Sequence, residues 1–267
     1  MRLFKKVLAV SVASMCALSL AACGGSKSAE TTAAASSESK EETKAGESVS
    51  EAVAATGKDA KDIKVGISIY KFDDNFMTLY RNELVRYLTE DCGIPKDNIV
   101  VQDGKNDQAE QTNQINNFIA TKVDVMILNL VQSSSAPTVT DLAKEAGIPV
   151  VYINREPDET EESRWASDGI KATYVGADAR QSGTFQGEEI AELDNKGDIN
   201  GDGTVKYIMI QGDPENIDAQ YRTEYSVKAL TEKSGLKAEE LLIQRGDWDQ
   251  AKGQQIAQDA LTQYGKD

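Results

Sequence analysis

After Asp62 the chain alternates short branched-aliphatic runs with polar stretches of helical periodicity, and it keeps that rhythm to its last residues. IKVGISIY (63–70), NIVVQDG (98–104), VDVMILNL (123–130) and IPVVYIN (148–154) are bounded apolar runs of strand length. Between them, NFMTLYRNELVRYLTEDCG (75–93) carries apolar residues at helical spacing up to a glycine stop. Asn106 or Asp107 caps a second helix whose inner face holds Ile115, Phe118 and Ile119, and a third helix runs to Gly147. Nearly continuous apolar strands separated by helices demand a mostly parallel sheet covered on both faces, because every crossover lays a helix across the sheet.

A charge-rich stretch, 155–171, is expected to be a loop, after which the alternation resumes. ATYVGAD (172–178) is a strand, Asp178 caps a helix to about Leu193, VKYIMIQG (205–212) is a strand and 217–235 a helix. ELLIQRG (240–246) is the last strand and 248–264 the last helix. The expected fold is α/β: two doubly wound parallel-sheet domains joined by a hinge, with a boundary near Gly176 between an N-terminal domain (62–175) and a C-terminal one (176–267). Four strands are expected in the first domain and three in the second. The chain stops at Tyr264-Gly265-Lys266-Asp267, where a further strand is expected, so the second domain reads as incomplete.

The N-terminus has a different character. Arg2, Lys5 and Lys6 precede an apolar run from Val7 to Leu20 that is short for a bilayer span, the pattern of an export signal. It ends in Leu20-Ala21-Ala22-Cys23, which has the form of a bacterial lipobox, so residues 1–23 are expected to be a lipoprotein signal and Cys23 the lipidated residue. Residues 24–61 contain no aromatic residue and only Val49 and Val53 as branched aliphatics; a disordered tether is expected. With Cys16 and Cys23 in the signal region, Cys92 is the one remaining thiol and reads as packing at a helix end. A net charge of −15 supplies no basic stripe for phosphates, and the absence of histidine removes Ser-His-Asp, Cys-His and histidine-zinc chemistry.

Residues 198–206, DINGDGTVK, resemble the front half of a calcium loop. Asp198, Asn200 and Asp202 stand at loop positions one, three and five, Gly203 at six, and Thr204 would supply a carbonyl. Position nine is Lys206 and position twelve is Met209, neither of them an anionic ligand. Metal site, relic and ordinary turn all remain open on these residues alone.

Taken in order, IYKFDDNFM (69–77), KNDQ (105–108), INREP (153–157), YVGAD (174–178), DINGDG, QGDPENIDAQYR (211–222) and GDWDQAKG (246–253) resemble the type I periplasmic sugar-binding proteins. The likeness is greatest to the galactose/glucose-binding members of ABC uptake systems and covers essentially all of 62–267. It implies a non-enzymatic, extracytoplasmic binder in which two domains close over one monosaccharide and hand it to a membrane permease. It further implies that Asp74 accepts sugar hydroxyls, Phe76 and Trp248 stack on the two ring faces, and Asn154, Arg155, Asn216, Asp218 and Arg222 supply polar contacts. In that family a histidine stands at Asn216, which puts the identity of the sugar in question. Calcium is implied at Asp198, Asn200, Asp202 and Thr204, with a glutamine where Lys206 stands and a closing glutamate from a distant segment.

Ordinary readings stand beside these. Asp74 is also a helix cap, Phe76 and Trp248 also core residues, and Asp218 with Arg222 also a surface i, i+4 pair. A glycosidase using Asp73 and Asp74 lacks a second carboxylate motif, a repressor would need a helix-turn-helix in place of the export signal, and a dockerin would need two calcium loops. A lipoprotein presenting sugar to a chemoreceptor or sensor kinase is the neighbouring alternative within the binding class.

Overall fold

The computed structural model describes residues 57–265. The expected signal segment with Cys23, and the expected tether as far as residue 56, lie outside those residues. No helix among the described residues is long and apolar enough to cross a membrane.

Five parallel strands form the first sheet: β1 (Val65–Ile69), β2 (Ile99–Asp103), β3 (Val125–Leu128), β4 (Val150–Ile153) and β5 (Ala172–Val175). Their order is β2-β1-β3-β4-β5, with Val65 in register with both Ile99 and Val125. Helices α1 (Asn75–Arg86), α2 (Gln108–Ala120), α3 (Ala136–Ala146) and α4 (Glu159–Ser167) connect them. All five residues of β1 are buried, as a central strand covered on both faces must be. Gly66 is needed there because a Cβ would lie 2.7 Å from Cγ of Phe118 on α2.

The second sheet pairs β6 (Thr204–Gln211) in parallel with β7 (Lys237–Arg245). It is flanked by α5 (Ala179–Ala191), α6 (Ile217–Ser234) and α7 (Gln250–Tyr264). Helices α1, α2, α4, α5, α6 and α7 all begin on an Asp or Asn whose side chain accepts from a first-turn N–H. Because the strands are parallel, these caps follow the carboxyl ends of strands, so the same short polar residues that start helices also border the ligand-binding edge.

The structure corrects three expectations. The strand at 172–175 pairs with β4 (Val150↔Ala172 to Ile153↔Val175), so the expected strand counts of four and three become five and two. The charged stretch contains α4, because Trp165 stacks on Tyr152 at 5.5 Å and 14° and donates from Nε1 to Glu161 at 2.7 Å. One aromatic anchor on a helix of charges carries no visible apolar period. The expected tether, 24–61, extends too far: Asp59 caps a short turn (Ala60–Asp62), Ala60 packs on the first-lobe core, and Asn98 donates to the Lys61 carbonyl at 2.8 Å.

The second lobe has a small core of Ala191, Val205 and Leu230, and its main packing is α5 against α6. Gly183 and Gly187 let the two backbones meet: a Cβ on Gly187 would lie 2.1 Å from the Ser226 carbonyl oxygen. Gly187→Leu is therefore expected to overpack this contact and destabilise the protein by about 1–3 kcal/mol, read as a lower urea midpoint. An unchanged midpoint would show that the helices separate without cost.

Candidate functional site

A cleft of about 460 Å³ opens between the lobes at the carboxyl ends of the strands. From the first lobe it is lined by Asp74, Phe76, Asn154 and Arg155, and from the second by Asn216, Asp218, Arg222 and Trp248. All eight residues singled out from the sequence thus meet at one place.

Asp74 serves as both cap and cleft residue: Oδ1 accepts from the Met77 N–H at 2.8 Å and Oδ2 from the Tyr70 hydroxyl at 2.6 Å. Phe76 and Trp248 are not core residues, since 60% and 43% of their surfaces are exposed. Large apolar rings left open in a polar cleft are suited to covering the C–H faces of a ligand. Asn154 (φ 64°), Asp247 (φ 55°) and Trp248 (φ 54°) adopt left-handed backbone conformations, uncommon for residues other than glycine and unfavourable for tryptophan. Such strain collects at binding sites, where surrounding structure holds it.

Arg155 is 3% exposed and donates from Nη1 to the carbonyls of Leu130 (3.2 Å) and Val131 (2.5 Å). Its guanidinium lies 3.8 Å over the Tyr70 ring and 5.1 Å from that of Trp248. Burial pushes its pKa down from the ordinary arginine value, opposed by Tyr70, Asp213 and Asp218. Asn154 accepts from Asn129 at 3.1 Å, which orients its amide at the end of β4.

Asn216 caps α6, its side-chain oxygen accepting from the Asp218 N–H at 2.8 Å. Asp218 is 3% exposed, which excludes the surface-pair reading. Its Oδ2 accepts from the Glu156 N–H of the first lobe at 3.0 Å, while Oδ1 is buried without a partner. Burial raises the pKa of Asp218; the Glu156 N–H, Arg222 and Arg155 oppose that rise. A second link between the lobes joins Arg180 Nη1 to Glu156 Oε1 at 3.4 Å.

Sequence reasoning missed Tyr70, which also lines the cleft. It ends the strand-like run IKVGISIY, where an aromatic reads as a strand residue; nothing in the run marks its hydroxyl as bound to Asp74.

The DINGDG loop closes on itself. Asp198 accepts from the N–H groups of Gly201 (2.8 Å), Asp202 (3.2 Å) and Gly203 (2.8 Å). Lys206 Nζ sits 3.1 Å from Asp202 Oδ2 and holds that carboxyl below its usual range. Among the described residues no group of three or more His, Cys, Asp or Glu side chains is arranged for a metal. As placed, the donor set does not fit a dication, because an ammonium cannot ligate one and Asp202 is already neutralised. Calcium is expected to leave the unfolding temperature of this chain unchanged, and Lys206→Gln to make that temperature calcium-dependent. Terbium emission sensitised by the unaltered chain would contradict this.

Fold and cleft together define a two-lobed α/β protein whose cleft lies at the strand ends, the edge at which open α/β sheets receive ligands. Residues 65–267 match the family described as Periplasmic binding protein domain, and the chain belongs to that family. It is 35% identical over 195 residues to the D-galactose/methyl-galactoside binding periplasmic protein of Haemophilus influenzae, covering 72% of this chain and 56% of that one. The ribose import binding protein of Bacillus subtilis is 25% identical over 135 residues, covering 50% of this chain and 43% of that one. Among solved structures, an ABC transporter solute-binding protein from Bacillus halodurans with bound myo-inositol matches with a TM-score of 0.62 and 27% identity, over 78% of this chain and 65% of that one. The chain spans about half the length of the curated relatives it matches.

Proposed function

We propose that the chain belongs to an extracytoplasmic solute-binding protein that captures a hexose, galactose or glucose, by closing its lobes, and delivers it to an ABC permease while anchored through a lipid on Cys23. The observation that carries this reading is the unpartnered Asp218 Oδ1 in a cleft flanked by the open rings of Phe76 and Trp248. A polyhydroxylated ring offers what these groups lack: O–H donors at its edge and C–H patches on its faces. The likeness to the Haemophilus galactose/methyl-galactoside binder favours a hexose. In this reading Asp74 and Asp218 accept hydroxyl protons, Arg222 donates, and Asn154, Arg155 and Asn216 orient the pyranose. Asn216 spends its oxygen on the helix cap, which leaves its amide N–H₂ to donate to the sugar.

Closure follows from where the groups stand. Contacts from both lobes are made together only in the closed form, so sugar binds that form more tightly and shifts the population toward it. Isothermal titration is expected to report binding of galactose or glucose, and Trp248→Ala to weaken it about tenfold or more. Absence of heat with either sugar would refute the substrate assignment.

Asp218 sets the pH dependence. Its carboxyl is raised in the folded protein, so the charged form is penalised, and this penalty is relieved as pH falls through the folded pKa. A hydroxyl donating to Oδ1 favours the ionised form, so sugar affinity is expected to fall as pH is lowered, starting above the usual aspartate range. Asp218→Asn should leave the sugar-free protein no less stable while lowering affinity about tenfold or more. Equal affinity across that pH range would remove Asp218 from the ligand contacts.

A further inference from the structure

We propose that Tyr70 is a positioning and specificity residue of the cleft, making the subsite between its hydroxyl and Asp74 accept only ligand groups that donate a hydrogen bond. The inference rests on reading the cleft as a sugar site.

Tyr70 is 3% exposed and follows β1 directly. Its backbone is tied on both sides: the N–H donates to Asn129 Oδ1 at 3.2 Å, and the carbonyl accepts from the Asn106 N–H at 2.7 Å. The Arg155 guanidinium covers one region of the ring at 3.8 Å, and Trp248, from the other lobe, meets it edge-on at 6.4 Å and 72°. The side chain therefore has no room to swing, and the hydroxyl stays where the 2.6 Å bond to Asp74 places it.

A phenol has one proton, and here that proton is committed to Asp74 Oδ2. Burial, then the adjacent Asp74 carboxylate, favour the neutral phenol and outweigh the opposing Arg155 guanidinium, so the proton stays on oxygen. What Tyr70 Oη still offers the cleft is acceptor capacity. Asp74 offers the same, because its other oxygen already takes the Met77 N–H. Neither of these two oxygens keeps a proton of its own to give, so the pair rewards a hydroxyl that points its hydrogen at it and disfavours an isostere that cannot donate. A ligand O–H placed on Tyr70 would extend the chain O–H to Oη–H to carboxylate, each bond polarising the next.

Contact with Trp248 adds a coupling. The ring that orients Asp74 in the first lobe is also the surface on which the second lobe's tryptophan rests, so Tyr70 relates acceptor placement to the closed arrangement.

The test compares the unaltered chain with Tyr70→Phe by isothermal titration against galactose, glucose and their monodeoxy and monofluoro analogues, with unfolding midpoints measured alongside. Phenylalanine keeps the ring and removes only the hydroxyl. The expected result is about a tenfold loss for the parent sugar, a lowered midpoint because Asp74 Oδ2 loses its buried partner, and no further loss for the one deoxy analogue that lacks the hydroxyl at this subsite. In the unaltered chain, the fluoro analogue at that same position should bind no better than the deoxy one, since fluorine cannot donate. This second arm holds even if Tyr70→Phe lowers stability. Equal losses on every analogue, unchanged affinity in Tyr70→Phe, or a fluoro analogue binding as well as the parent at every position would each overturn the inference while leaving the sugar site standing. Failure of the unaltered chain to bind any hexose would overturn the sugar reading and this inference with it.

Discussion

A guanidinium buried among carbonyls and aromatic rings is the constraint on which the cleft depends. Arg155 is removed from water, and an unpaired buried charge is costly unless hydrogen bonds and local dipoles replace hydration. Here Nη1 donates to two carbonyls just after β3, and Tyr70 and Trp248 present their rings. These groups come from the ends of β1, β3 and β4 and from the turn after β7. Satisfying one cation therefore forces four separate chain segments to converge, and the cleft lies at that convergence.

The two lobes meet through the same few groups. Asp218 Oδ2 takes the N–H of Glu156, one residue beyond Arg155, and Arg180 reaches back to the Glu156 carboxylate. Burial raises the pKa of Glu156, with Arg180 opposing that rise. The left-handed backbone at Asn154 turns the chain sharply at this point, aiming Arg155 inward and the Glu156 N–H toward the second lobe. Strain at one residue, a buried cation at the next and a bond between lobes at the third form a continuous device at the end of β4. It is a preorganised site: the polar groups are held before any ligand arrives.

Much of the site was legible because binding residues in parallel α/β folds collect at a predictable edge. The strand-end positions of Asp74, Asn154, Asn216, Asp218 and Trp248 follow from where apolar runs stop and helical periodicity starts. Their roles were less legible. Asp74 looked like a choice between cap and contact, yet it is a cap and lines the cleft, and Asn216, read only as a contact, is a cap as well, because a side chain with two polar ends can do both. Tyr70 went unnoticed because a tyrosine ending a strand looks the same whether its hydroxyl meets water or a buried carboxylate. Lys206 was visible as an anomaly in DINGDGTVK, but only the folded loop places its ammonium on Asp202.

By itself the sequence determined the alternation of strands and helices outside the charged stretch, several of the helix caps, and the edge of the sheet at which chemistry would collect. Those properties rest on local periodicity and on backbone groups satisfied within a few residues. Only the tertiary structure decided that the strand at 172–175 pairs with β4, that a charged stretch folds into α4, and that Asp218 keeps one oxygen unpaired. Each of these depends on a partner far along the chain: β4 for the strand, Tyr152 for Trp165, and Glu156 for Asp218. Long-range pairing leaves no periodic mark, and the choice between water and a distant partner is made only when the core closes.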